Sequence, residues 1–214
     1  MSQGPRSLAA LTGVVFVVFF VLSFVIVGES PGADDPVQEV VSFYAENDTQ
    51  VTIASLAVAI AAVFFLFFTG VLRSVLRSVE GGTGWLSAVA FGGGVVAAVG
   101  MLLFAGLGFV LGDSADDLSP EAVQAINVLS SNLFFPLAGG IVTLLFATGL
   151  SALQTNVLPT WLAWAALVLA VAGFTPIGFF AFLAAVLWVL VVSILLIRGT
   201  RPAGPAPAAG TPTV

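Results

Sequence analysis

The chain of 214 residues has no cysteine, no histidine and no lysine, and only 7% of its residues are charged. Without cysteine there is no disulfide framework and no thiol chemistry, and without histidine as well the usual zinc and haem ligands are missing. All five cations are arginines, at positions 6, 73, 77, 198 and 201. With 59% hydrophobic residues and a mean hydropathy of +1.17, too little polar surface remains to cover a soluble globule. The chain is expected to be an all-α polytopic membrane helical bundle in contact with the lipid bilayer.

What is present is a series of long apolar runs. A helix needs about 20 apolar residues to cross roughly 30 Å of hydrocarbon. The runs predict six transmembrane helices, over residues 8–27, 51–72, 85–111, 129–150, 158–174 and 177–197. The first run is longer than the roughly 7–15 residues of a signal-peptide core, so it reads as an uncleaved span. The stretch from Leu158 to Ile197 would reach about 60 Å as one helix, so it must fold back. Gly173, Pro176 and Gly178 mark the turn.

Threaded in this way, every arginine falls on one side, with Glu80 the one acid beside them. The other ten acids fill the first and third loops. Basic residues near span ends stay in the cytoplasm, which predicts a multi-pass protein of the cell membrane with both termini cytoplasmic. Trp85, Trp161 and Trp164 then open their spans at the cytoplasmic headgroup level. Arg73, Arg77, Trp85 and Trp161 are the candidate headgroup contacts. The segment 199–214, built mainly from Pro, Ala, Gly and Thr, reads as a disordered cytoplasmic tail.

Both acidic outer loops carry a helix start. Asp35 is placed to cap a short helix whose first turn holds Pro36 and Glu39. At 100° per residue Val37, Val40, Val41 and Tyr44 share one face of it, and Gln38, Glu39, Ser42 and Glu46 the other. Ser119, Pro120 and Glu121 repeat the signal in the third loop. Two short amphipathic outer helices are therefore expected. The match of residues 35–40 to 119–124 makes the two hairpins candidate distant copies.

No ionisable residue interrupts the apolar runs, so proton relays, voltage sensing and carboxylate catalysis lack their usual groups. The best polar constellation runs from the third loop into the fourth span. Glu121, Gln124, Asn127, Ser131 and Asn132 fall within about 140° of helix surface, continued by Ala138 and Gly139. Gln124, Asn127, Ser131, Asn132, Pro136 and Gly139 are the candidate solute-lining residues, with freed carbonyls expected between Pro136 and Gly140. The alternative is the wet side of a helix that begins outside the membrane. Asp113, Asp116, Asp117 and Glu121 lack the spacing of a calcium loop and read as a solvated acidic patch. Gly94 with Ala98 and Gly108 with Gly112 form two pairs at four-residue spacing and are candidate helix-packing positions, within the chain or in a homo-oligomer. No cofactor or metal site is indicated, and Gly81-Gly82-Thr83-Gly84 lacks the lysine of a phosphate loop. No nucleic-acid partner is indicated either.

The order of parts resembles an uncharacterised class of six-span integral membrane proteins of high-GC Gram-positive bacteria. The resemblance is carried by Pro31-Gly32 before the helix at Val37 to Asn47, and by Leu72-Arg73 through Leu76-Arg77 with Glu80-Gly81-Gly82. Leu158-Pro159-Thr160-Trp161-Leu162-Ala163-Trp164 at the fifth span completes it, with Thr160 where that class usually has a basic residue. The resemblance implies no activity. Composition and topology point to a non-catalytic accessory or partner-binding membrane module rather than an enzyme. A passive carrier or channel for a small neutral or apolar solute is the second class.

Overall fold

A computed structural model describes residues 3–175 and 177–198, with side chains from residue 11 onward. The tail 199–214 with Arg201, the Arg6 side chain and Pro176 lie outside the described residues. Eight α-helices make up the described chain: α1 Gln3–Val27, α2 Val37–Glu46, α3 Asp48–Val79, α4 Trp85–Ser114, α5 Pro120–Asn132, α6 Phe134–Thr155, α7 Thr160–Ala172 and α8 Gly178–Arg198. A 3-10 turn over Ala115–Asp117 extends α4. Taken as one helix bent at Leu133, α5 and α6 reduce the count to seven. The protein is all-α, and four of its helices are long and apolar enough to cross a membrane: 48–79, 85–117, 120–155 and 178–198. The apolar part of α1 from Leu11 and the 13-residue α7 are shorter.

Six helices close a ring in chain order. α1 packs on α3, α3 on α4, α4 on α6, α6 on α7, α7 on α8, and α8 returns to α1. Since consecutive ring helices run antiparallel, the loops gather at two ends. One end holds the acidic loops with α2 and α5, and the other holds Arg73, Arg77, Glu80 and Arg198.

Small residues set the closest approaches. A Cβ on Gly93 would lie 2.6 Å from the amide nitrogen of Leu144, one on Gly140 would strike the Ala97 backbone, and one on Gly100 would stand 3.0 Å from the amide of Leu137. Backbone therefore meets backbone where α4 crosses α6. On the α3 side, Gly94 faces Thr69, Gly108 faces Ser55 and Gly112 faces Thr52, while Ala98 is buried.

Four local expectations are corrected. The fourth apolar run was expected to be one helix over 129–150, but the chain bends at Leu133 and the apolar helix runs from Phe134 to Thr155. Pro136 and Gly139/Gly140 do not open the backbone. Proline sits in the first turn of α6, where its missing N–H is tolerated, and Gly140 is filled by α4. Asp35 does not cap α2; its carboxylate accepts the Gly32 amide at 2.7 Å, leaving Pro36 as an N-cap without a side-chain bond. The second run is part of a longer helix, because α3 extends apolar residues 51–72 to Asp48 at one end and to Val79 at the other. Ser119 does cap α5, accepting from the Ala122 amide at 3.3 Å.

The chain folds back between α7 and α8, and four backbone amides there are bonded locally. The amides of Gly173, Phe174, Thr175 and Gly178 donate to Leu169, Val171, Ala172 and Thr175 carbonyls, and the Thr175 hydroxyl adds a bond to Ala172. Phe174, Ile177, Phe179 and Phe180 around this turn are all more than half exposed. The buried indole of Trp188 donates to the Leu162 carbonyl at 3.0 Å, tying α8 to α7.

Candidate functional site

At the basic end the ring is filled. Phe65, Phe68, Leu72 and Leu76 of α3 are fully buried, with Phe16 stacked at 4.8 Å on Phe65 and with Leu86, Leu144, Leu145 and Leu162 completing the packing. Towards the acidic end the same interior opens into a cavity of about 390 Å³. Its walls come from Phe20, Ser23 and Phe24 of α1, Ala54, Ser55 and Val58 of α3, and Met101, Gly108 and Leu111 of α4. The α5–α6 junction contributes Ser130, Ser131, Phe134 and Leu137, and α8 contributes Phe182. Phe20 and Phe134 meet Phe182 edge-on at 5.5 and 6.0 Å, so aromatic rings from three helices bound the space. The volume falls in the range of about 300–1,000 Å³ common to sites for small molecules. Glycine at 108, facing Ser55 across the α3–α4 contact, and alanine at 54 leave this end without the bulk that fills the other.

The roof is a hydrogen-bonded clasp between the outer loops. Val40 and Tyr44 of α2 are buried against Val51, Leu111, Ala115 and Val123. The Tyr44 hydroxyl donates to Asn127 Oδ1 at 2.8 Å, and Asn127 Nδ2 donates to the Gly32 carbonyl at 2.9 Å. Gln124 Nε2 donates to the carbonyls of Ala33 and Asp35 at 3.2 and 3.4 Å. Burial pushes the Tyr44 phenol up to about 12, so it serves as a neutral donor.

The expected solute-lining residues divide between these two structures. Ser131 lines the cavity, with its hydroxyl bonded back to the Asn127 carbonyl at 3.0 Å. Gln124 and Asn127 form the clasp. Asn132 is exposed and returns its amide to the Val128 carbonyl at 2.8 Å, and neither it nor Pro136 nor Gly139 is part of the cavity wall. Asn132 precedes Leu133 on α5 and is exposed, whereas Pro136 and Gly139 belong to α6.

Other polar residues gained roles that the sequence reading missed. Tyr44 was read only for its apolar face, although its position gave no sign of a partner 83 residues away. Ser55 lies in a run of small and apolar residues, and Ser130 one position off the polar stripe; both are buried and line the cavity. At the opposite end the Glu80 carboxylate accepts from the Leu86 and Ser87 amides, both at 2.9 Å, and so closes the N-terminus of α4. Burial by itself pushes that carboxyl up, but the Ser87 amide and hydroxyl, the Leu86 amide and Arg77 together hold it below its ordinary value. An acid just ahead of a Gly-rich helix start was the legible signal.

Arg77 donates to the Glu80 and Gly82 carbonyls, and Arg73 stands 5.4 Å from the Phe91 ring. Trp85 and Trp161 are each about three-fifths exposed, on the bundle's outer surface. Among the described residues no group of three or more acids is placed to hold a metal ion. A second apolar depression of about 380 Å³ runs along the outside of the bundle between α4, α6 and α7, bordered by Trp85, Phe146 and Phe174. Thr148 and Ser151 of α6 are buried with hydroxyls lacking a partner, but they line neither space. No family model matches the chain, and neither a curated protein nor a solved structure matches it.

Proposed function

We propose that the chain is a six-span membrane protein with both termini in the cytoplasm, and that the cavity at its outer end binds one small apolar or amphipathic molecule. The protein is then a non-catalytic binding module. Four long apolar helices, a ring closed by α1 and α7, and an arginine-bearing end opposite the acidic loops support the topology. The same order of parts supports, as part of this reading, the resemblance of the sequence to the six-span class.

The cavity carries the functional reading. Its wall offers aromatic faces, aliphatic groups and hydroxyls, and no carboxylate or cation, which is the chemistry of a neutral, mainly apolar occupant. The filled basic end argues against a continuous channel, because an occupant would meet Phe65, Phe68 and Leu72 below it. Gly94, Gly108 and Gly112 already face α3, so these positions are committed to internal packing rather than to a second copy.

Photolabelling in liposomes with a dodecyl diazirine tests this site. Saturable labelling of peptides bearing Ser55, Met101 to Leu111 and Phe134 is expected. Gly108→Phe, which fills the space, should remove it, and Asn132→Leu should leave it unchanged. Labelling confined to lipid-facing residues such as Leu56 and Leu103, without saturation, would rule the site out.

A further inference from the structure

We infer that the molecule held in the cavity is a neutral lipid-like compound carrying a hydroxyl or carbonyl oxygen, anchored by the hydroxyls of Ser55 and Ser130. The inference rests on the binding role proposed for the cavity and names the chemistry of its occupant. Hydroxyls on helices in apolar surroundings ordinarily bond back to their own helix, and this chain follows that habit. Ser23 donates to Phe20, Thr69 to Leu66, Ser131 to Asn127, Thr143 to Gly139 and Ser193 to Val189. Thr148, Ser151, Ser55 and Ser130 depart from it, and of these four only Ser55 and Ser130 line the cavity. Each of these two is only 7% exposed, and neither hydroxyl has a hydrogen-bond partner among the described residues. Their oxygens are not among the fully enclosed unpartnered atoms, so they are reached from the open space beside them.

A buried hydroxyl without a partner is costly, and an oxygen on the occupant removes that cost at the serine it reaches. The two serines sit on α3 and α5, so the cavity offers a polar group on the occupant one hydroxyl from each of two helices, with the apolar remainder lying against Phe20, Phe134 and Phe182. A charged head group has no counter-ion in the wall, and an anion would also have to pass Glu29, Asp34 and Asp35 at the same end. Water alone is a poor filler, since each molecule needs two to four polar partners and the wall is mostly carbon.

Competition against the dodecyl diazirine in liposomes tests the assignment, with competitors compared at equal mole fraction in the membrane. Dodecanol should displace the probe about tenfold better than dodecane, as one or two neutral hydrogen bonds would give. Ser55→Ala and Ser130→Ala should each erode that preference about threefold to fivefold while leaving displacement by dodecane unchanged. A merely structural role for the serines would shift both competitors together. Equal displacement by dodecanol and dodecane, with cavity labelling still saturable, would overturn the hydroxyl anchor and leave the apolar site standing. Preference for dodecanoate would overturn the neutral assignment, and the absence of saturable cavity labelling would remove the site and the anchor together.

Discussion

Tyr44 is the one tyrosine in the chain, so its ionisation can be followed by tyrosinate absorbance without interference from another phenol. Its folded value is raised from 10.0 to about 12 by burial. The stability linked to it is therefore fully present below pH 10 and is lost as pH rises through the folded value. Titration of the folded protein should give a midpoint near 12, and of the denatured chain one near 10. Tyr44→Phe leaves Asn127 Oδ1 without its donor and should lower stability by about 1–3 kcal/mol in denaturant melts. Glu80 shows the opposite linkage. Its folded value is depressed, so its contribution is present above the unfolded value and disappears as pH falls through the folded one. Glu80→Ala should cost about 1 kcal/mol at neutral pH and little in acid, read from melts at both pH values. The Tyr44 partner was not visible in sequence, because Asn127 lies 83 residues away, whereas the Glu80 partners lie six and seven residues on, across one short loop.

Gly139 and Gly140 make the clearest comparison among the helices. They are adjacent in α6, yet a Cβ at 139 meets open space, while one at 140 falls on the backbone of Ala97 and within 2.7 Å of the Gly93 carbonyl. Gly139→Ala should be neutral or stabilising by about 0.5–1 kcal/mol, as helix propensity dictates. Gly140→Ala should destabilise by about 1–3 kcal/mol because α4 and α6 must move apart. Thermal melts in one detergent check the pair, and similar behaviour of the two variants would contradict the α4–α6 crossing. The outer helices were legible from their own residues, since the Val37, Val40, Val41 and Tyr44 face predicted from the wheel includes the buried positions. The bend at Leu133 was not, because Pro136 and the Gly139/Gly140 pair looked like the natural place for a break. Proline instead opens α6 and the glycine at 140 lets a neighbour in.

For the whole molecule the proposed topology predicts labelling by sidedness. Single cysteines replacing Ser2, Ser42, Thr83, Ser114 and Thr213 can be introduced into a chain that has none of its own. Only those at Ser42 and Ser114 should react with an impermeant reagent outside the cell, and outside reactivity at Thr213 would exclude an even number of crossings. The sequence by itself determined the helical character, the long apolar helices, the separation of the acidic loops from the arginines and the two short amphipathic helices. Composition, run length and periodicity are local quantities, and each of those features depends on them. The cavity, the clasp and the isolation of Ser55 and Ser130 were decided by tertiary structure alone. They depend on which helices become neighbours: Ser55 meets Gly108 because α3 packs on α4, and Asn127 becomes a clasp because Tyr44 arrives from another loop. Six antiparallel helices can be arranged in many orders with the same hydropathy, and the close backbone approaches at Gly93, Gly100 and Gly140 select the one in which the interior fills at the arginine end and remains open at the acidic end.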